Sequence, residues 1–156
     1  MGAVDARLAE LGLILPDVAA PVAAYVPAVR SGAHVYTSGQ LPFVDGTLPA
    51  TGKVGVGDGL VDPTDAAGYA RTAALNALAA VRSLVGDLDS VARVVKVTGF
   101  VASDPAFTGQ PMVINGASEL LGQVFGEAGV HARSAVGVAV LPLDSPVEVE
   151  LVVELR

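Results

Sequence analysis

Residues 147–154, Val-Glu-Val-Glu-Leu-Val-Val-Glu, put Val147, Val149, Leu151 and Val153 on alternate positions, with Glu148, Glu150 and Glu154 between them. Successive side chains of a strand point to opposite faces, so this run is a strand with one face in a core and the other polar or against a partner. A one-residue slip would bury its carboxylates, so the register is strongly specified. Ahead of it, Ala132-Arg133-Ser134-Ala135-Val136-Gly137-Val138-Ala139-Val140 is a second strand, made of small and branched residues with one arginine at its mouth. The Leu143-Asp144-Ser145-Pro146 connection is tight, so the two strands run antiparallel whether adjacent or separated by one strand. Arg133 begins one and Glu148 begins the other, at opposite ends of the sheet. Within one chain the two should not meet.

The rest of the chain supplies alternating elements. Residues 1–15 mix Asp5, Arg7 and Glu10 with Leu8, Leu11 and Leu13, a short amphipathic helix. Residues 21–29 and 33–38 read as two short strands joined by Arg30-Ser31-Gly32, a hairpin with Gly at its tip. Between 41 and 62, Gly and Pro erase any helical period and leave a long surface loop with at most short strand pieces, a candidate wall of a site. Asp62-Pro63-Thr64-Asp65 is a helix start, and Ala67, Ala70, Ala74, Leu78, Val81 and Val85 follow at helical spacing up to Gly86. A Val-rich strand from 91 to 101 and a helix from about 108 to 126 complete the order. The expected fold is a single α+β domain, a mixed sheet with two helices on one face and parallel crossovers. The other face then needs a partner, and Ala135, Gly137 and Ala139 would allow another chain to approach closely.

Composition narrows the chemistry. The 156 residues contain no cysteine, so disulfides, thiolate nucleophiles and zinc–thiolate sites are excluded. A net charge of −7 with four Phe, three Tyr and no Trp is poorly suited to a nucleic-acid backbone or a base-stacking platform. The apolar fraction of 52% and mean hydropathy of +0.58 are high, yet no run approaches a membrane span. A buried subunit interface is a natural place for the surplus. The first residues lack the basic start and apolar middle of a secretion signal, and a cytoplasmic location is expected. No grouping of His or acids has metal-ligand spacing, and Gly55-Val56-Gly57-Asp58-Gly59 lacks the Gly-Lys-Ser of a nucleotide loop.

Arg133 is suited to hold a small organic acid, because a guanidinium grips a carboxylate with two parallel hydrogen bonds. Taken alone, an arginine at a strand end is more often a surface ion pair, Glu148 more often a solvated or interface acid, and Ser38-Gly39 more often an ordinary strand end. Ala132-Arg133-Ser134 with its valine strand, Leu141-Pro142 and Val147-Glu148-Val149-Glu150 closely resembles the C-terminal signature of the RidA (YjgF) family of enamine/imine deaminases, also labelled the endoribonuclease L-PSP family. Tyr36-Thr37-Ser38-Gly39-Gln40-Leu41-Pro42 resembles that family's Ser-Gly-Gln segment, and 94–101 its central strand.

The resemblance covers about residues 20–155. It implies a chorismate-mutase-like fold, a homotrimer packed around a central barrel, sites between subunits and no cofactor. It also implies hydrolysis of reactive 2-imino acids to 2-keto acids and ammonia. Arg133 and the backbone of Ser38 and Gly39 would take the carboxylate, Glu148 would orient water, and Tyr25 and Asn115 would line the site. Tyr25 is otherwise readable as a core residue of a strand, and Asn115 as a helix residue bonded to a neighbouring loop. His34 and His131 receive no role, although His131, beside Arg133, could line the pocket.

The chain departs from the family pattern at His131, where Pro is frequent, at Ala135, where Cys is frequent, and at Ser118, where an aromatic is usual. These departures suit a divergent branch. A non-catalytic keto-acid-binding trimer is the alternative reading. An endoribonuclease is disfavoured by the acidic charge and the lack of a His pair.

Overall fold

The computed structural model describes residues 1–18 and 24–156, so the start of the expected first strand, residues 21–23, lies outside the described residues. Along the chain come α1 (Ala3–Glu10), β1 (Ala28–Ser31), β2 (His34–Thr37), α2 (Pro63–Val85), β3 (Val91–Ala102), α3 (Gln110–Phe125), β4 (Ala132–Val138) and β5 (Val147–Leu155). The strands form one mixed sheet in the order β1-β2-β5-β3-β4. β4 runs parallel to β3, while β5 is antiparallel to both β3 and β2. The expected antiparallel relation of β4 and β5 therefore holds with β3 between them.

Local chemistry accounts for the helix ends. Asp62 accepts the Thr64 N–H at 2.8 Å and Pro63 opens α2, whose orphan amides are thereby reduced; Gly86 stops it at φ 84°. The buried side of α2 is mostly alanine, with Ala66, Ala70, Ala73, Ala74, Ala77 and Ala80 around Leu78 and Val81. Small side chains let α3 come close, so close that a Cβ on Gly116 would run into the backbone carbonyl of Ala67. Val113, Ile114, Ala117, Leu120, Leu121 and Val124 of α3 complete the layer. On the sheet side, β5 alternates buried and half-buried residues along its whole length, with Val147, Val149, Leu151, Val153 and Leu155 inward. The 3.6 and 2.0 periods thus meet in one core.

Three expectations need correction. The first strand begins at Ala28, and Tyr25 precedes it on irregular chain, 56% exposed and outside any core. Pro27 cannot donate to a ladder, which ends strand pairing there. The 41–62 segment forms no helix, as expected, but it is a strap held at several points. Asn76 of α2 donates to the Leu41 and Phe43 carbonyls, and Val54 is fully buried between Ala102 and Asp104 with bonds of 2.7 and 2.9 Å. Finally, Ala135 and Gly137 turn toward α3 of their own chain. They share the inward face with Gly99 and Val101, and a Cβ on Gly137 would meet Gln110 of α3 and Ser103.

α1 packs at the far edge, where Asp89 accepts the N–H groups of Ala3 and Val4 at 2.7 and 2.8 Å. No helix among the described residues covers the outward face of the sheet. Strand pairing puts Val29, Tyr36, Val152, Thr98, Phe100 and Val136 on it together with Glu148 and Glu150. Val29, Tyr36 and Val136 are 50%, 48% and 44% exposed there.

Candidate functional site

The residues singled out in the sequence gather at two places. At the first, β2 ends at Thr37 and the chain crosses toward β5 through Ser38-Gly39-Gln40, held by Gln40 N–H to Val149 O at 2.8 Å and Val149 N–H to Gln40 O at 3.0 Å. This clamp seats Gly39 against Glu148: a Cβ at position 39 would lie 2.7 Å from the Glu148 Cδ. Only glycine leaves the carboxyl its place. Burial raises the Glu148 pKa above the ordinary carboxylate value, and the neighbouring charge of Glu150 on the same face raises it further. A carboxylate so placed is a stronger base near neutrality than an exposed one.

Ser38 turns inward to its own chain. Its N–H donates to Pro27 O at 2.8 Å and its hydroxyl to Val26 O at 2.6 Å. The Gly39 N–H has no partner among the described residues, so of the two backbone donors expected to receive a carboxylate only Gly39 remains available. The Ser38 bonds lace residues 26–27 to this end of the sheet and bring Tyr25 alongside, with its ring exposed.

The second place is the entry of β4, the edge strand. Arg133 pairs with Val97 and so shares the inward, helix-side face, where α3 meets it. Its Nη1 donates to Asn115 Oδ1 at 2.8 Å and to Ser118 Oγ at 3.2 Å. Those two bonds use both hydrogens of Nη1. The Nε and Nη2 edge, the side that grips a carboxylate in two parallel bonds, is engaged by nothing among the described residues. Asn115, unfavourable inside a helix, is thus placed by the guanidinium it holds.

Ser118 and His131 went unassigned in the sequence, and the structure joins them to this cluster. His131 Nε2 lies 2.9 Å from Ser118 Oγ and its Nδ1 lies 2.6 Å from Gly129 O. The available hints were that both stand where the family pattern fails and that His131 lies two residues before Arg133.

Arg133 and Glu148 do not meet. Arg133 is opposite Val97 and Glu148 opposite Phe100, three residues along β3 and one strand to either side of it. At strand spacings this separates their Cα atoms by roughly 14 Å. The lengthwise offset is smaller than the two strand starts suggest, since β4 enters at the middle of β3. The decisive barrier is the sheet itself: Arg133 is on the helix side and Glu148 on the open side. His34, on β2, lies three strands away from β4, so the two histidines form no pair.

A family model described as "YjgF/chorismate mutase-like, putative endoribonuclease" matches residues 5–155. The chain belongs to this YjgF family. Protein TCP17 of Trypanosoma cruzi is 47% identical over 156 residues, covering 99% of this chain and 96% of that protein. The crystal structure of Atu1372 from Agrobacterium tumefaciens, a protein of unknown function, is 46% identical with a TM-score of 0.89, covering 99% and 93% of the two chains. TdcF of E. coli, crystallised with bound serine, is 29% identical with a TM-score of 0.60 over 89% and 93%. The chain has the YjgF fold, a five-stranded mixed sheet backed by helices. No helix among the described residues is long and apolar enough to cross a membrane, and none of their His, Asp and Glu side chains group as a metal site.

Proposed function

We propose that the protein hydrolyses reactive 2-imino acids to 2-keto acids and ammonia, at sites completed between subunits of a homotrimer. The observation that carries this reading is the open Nε–Nη2 edge of Arg133, steadied from behind by Asn115 and Ser118. A carboxylate gripped there would be fixed in orientation, as a small 2-imino acid requires. The serine bound to TdcF is a small amino-acid carboxylate of that class. At the second place, Glu148 with its raised pKa takes a proton from water as it adds to the imine carbon, and the Gly39 N–H binds an oxygen of the substrate. The imine nitrogen gains the protons and leaves as ammonia. Imines hydrolyse unaided, so positioning supplies most of the acceleration required.

Arg133 and Glu148 lie on opposite faces of one chain, so a pocket using both draws them from two copies. The uncovered sheet face, with Val29, Tyr36 and Val136 exposed, is the surface on which the copies pack around a barrel. A net charge of −7 works against an RNA substrate, whose binding rests on basic side chains.

The test is release of keto acid and ammonia from a panel of imines made in situ by an amino acid oxidase. Wild type should accelerate hydrolysis, and Arg133→Ala should weaken kcat/KM on the order of 100-fold while leaving the assembly intact. Keto-acid binding without turnover of any imine would instead identify a ligand-binding trimer.

A further inference from the structure

The Ser118–His131 pair has the geometry of a directed hydrogen-bond chain ending on the candidate carboxylate anchor. Gly129 O can only accept, so His131 Nδ1 carries the hydrogen of the 2.6 Å contact. In the neutral ring Nε2 is then an acceptor, and the Ser118 hydroxyl 2.9 Å away must donate to it. With its hydrogen committed, Ser118 Oγ turns its lone pairs outward, and one of them accepts from Arg133 Nη1 at 3.2 Å. Every bond in the series Arg133 to Ser118 to His131 to Gly129 therefore runs one way. A free serine hydroxyl rotates and can equally point its hydrogen at a neighbour, which for a guanidinium would be repulsive. His131 removes that choice.

The sequence accounts for how the parts are brought together. Ser118 lies three residues after Asn115 on α3, so both point from one helix face toward the β4 entry. The parallel pairing of Lys96 with Ala132 fixes the β4 register, which sets Arg133 inward and leaves His131 just ahead of the strand. The other charged side chains on the surrounding elements are Glu119 on α3, Glu127 in the turn after it, and Arg93 and Lys96 on β3. None of them is bonded to the pair among the described residues.

We infer that Ser118 and His131 are positioning residues that orient Arg133 for a substrate carboxylate, His131 acting through Ser118 by accepting its hydroxyl hydrogen. This rests on the reading of Arg133 as the anchor and extends it to two side chains that the family resemblance does not assign. They act on binding of the carboxylate rather than on the water-addition step.

The experiment measures the dissociation constant of 2-oxobutanoate and the deamination kcat and KM at neutral pH, for wild type, Ser118→Ala, His131→Leu and His131→Gln. Gln offers a carbonyl oxygen near the position of Nε2 and cannot be charged. Ser118→Ala and His131→Leu should each raise the dissociation constant and KM on the order of tenfold, with kcat within about twofold of wild type. His131→Gln should recover most of the loss. Wild-type binding by all three variants overturns the inference, and so does equal loss in Leu and Gln, which would mark His131 as a packing residue. If wild type turns over no imine yet the binding pattern appears, the deaminase reading falls and the positioning role stands. Wild type failing both to bind and to turn over overturns both.

Discussion

The carboxyl of Glu148 sits where ionisation is disfavoured, and its sign of action on stability follows. Its folded pKa is above the ordinary value it has in the unfolded chain, so in the window between the two the folded state holds more protons. Stability attributable to this group therefore falls as pH rises through that window, and the cost of the charge is fully present above it. Glu148→Gln should raise the melting temperature at neutral pH and leave it unchanged below the ordinary carboxylate range, as thermal denaturation at the two pH values will show. The same substitution should abolish imine turnover, and in the wild type the acid limb of the kcat/KM profile should lie above the ordinary carboxylate pKa. Gly39 is the companion test. An added Cβ would lie 2.7 Å from Glu148 Cδ, so Gly39→Ala must push the carboxyl aside, with an expected loss of roughly 100-fold in kcat at little cost in stability. Residue roles were unevenly readable beforehand. Glu148 and Arg133 were readable only through the motifs they share with the family, and Ser118 and His131 belong to different elements and become neighbours only once the β3–β4 register is set.

Helices and strands carry a second level of prediction, at two glycines of one helix. Gly116 and Gly122 both interrupt α3, and propensity alone rates alanine better than glycine by about 0.5–1 kcal/mol at either. Gly116 faces the Ala67 backbone carbonyl at the α2–α3 crossing, whereas nothing lies within 4 Å of a Cβ at Gly122. Overpacking against a backbone cannot be relieved by a rotamer change, so it wins at the first site. Gly116→Ala should destabilise by roughly 1–3 kcal/mol. Gly122→Ala should stabilise by roughly 0.5–1 kcal/mol. Urea unfolding of both variants checks the pair, and the opposite signs are the point of the comparison. Elements with local start and stop chemistry were readable from the chain: Asp62, Pro63 and Gly86 bound α2 whatever surrounds it. β1 was not, because its beginning is decided by pairing with β2 across the sheet, and Pro27 withdraws the chain from that pairing. Likewise the small residues of β4 serve α3 of the same chain, a fact that depends on which face the register turns inward.

At the scale of the whole molecule, the sheet separates the two halves of the chemistry. Arg133 and Asn115 are on the helix side at one edge, and Glu148 and Gly39 on the open side, so their cooperation in a single pocket requires a second copy of the chain. That arrangement can be tested without locating the interface. Arg133→Ala and Glu148→Ala proteins should each be strongly impaired alone, the former by the roughly 100-fold expected above. If the assembly is the proposed trimer, unfolding them together in equal amounts and refolding gives mixed trimers in which a site pairing Arg133 of one variant with Glu148 of the other is intact. If the sites lie between subunits, every mixed trimer holds one intact site, and random assembly restores about one site in four of the wild-type number. If each site were built within one chain, every site would lack one of the two residues and mixing would restore nothing. Sedimentation of the same samples supplies the control, because a Val136→Glu substitution on the uncovered face should give monomers and prevent any recovery on mixing. Recovery of activity in monomers would remove the reason for the assembly; recovery confined to trimers would tie the uncovered face, the split of charged groups across the sheet and the catalytic site to one cause.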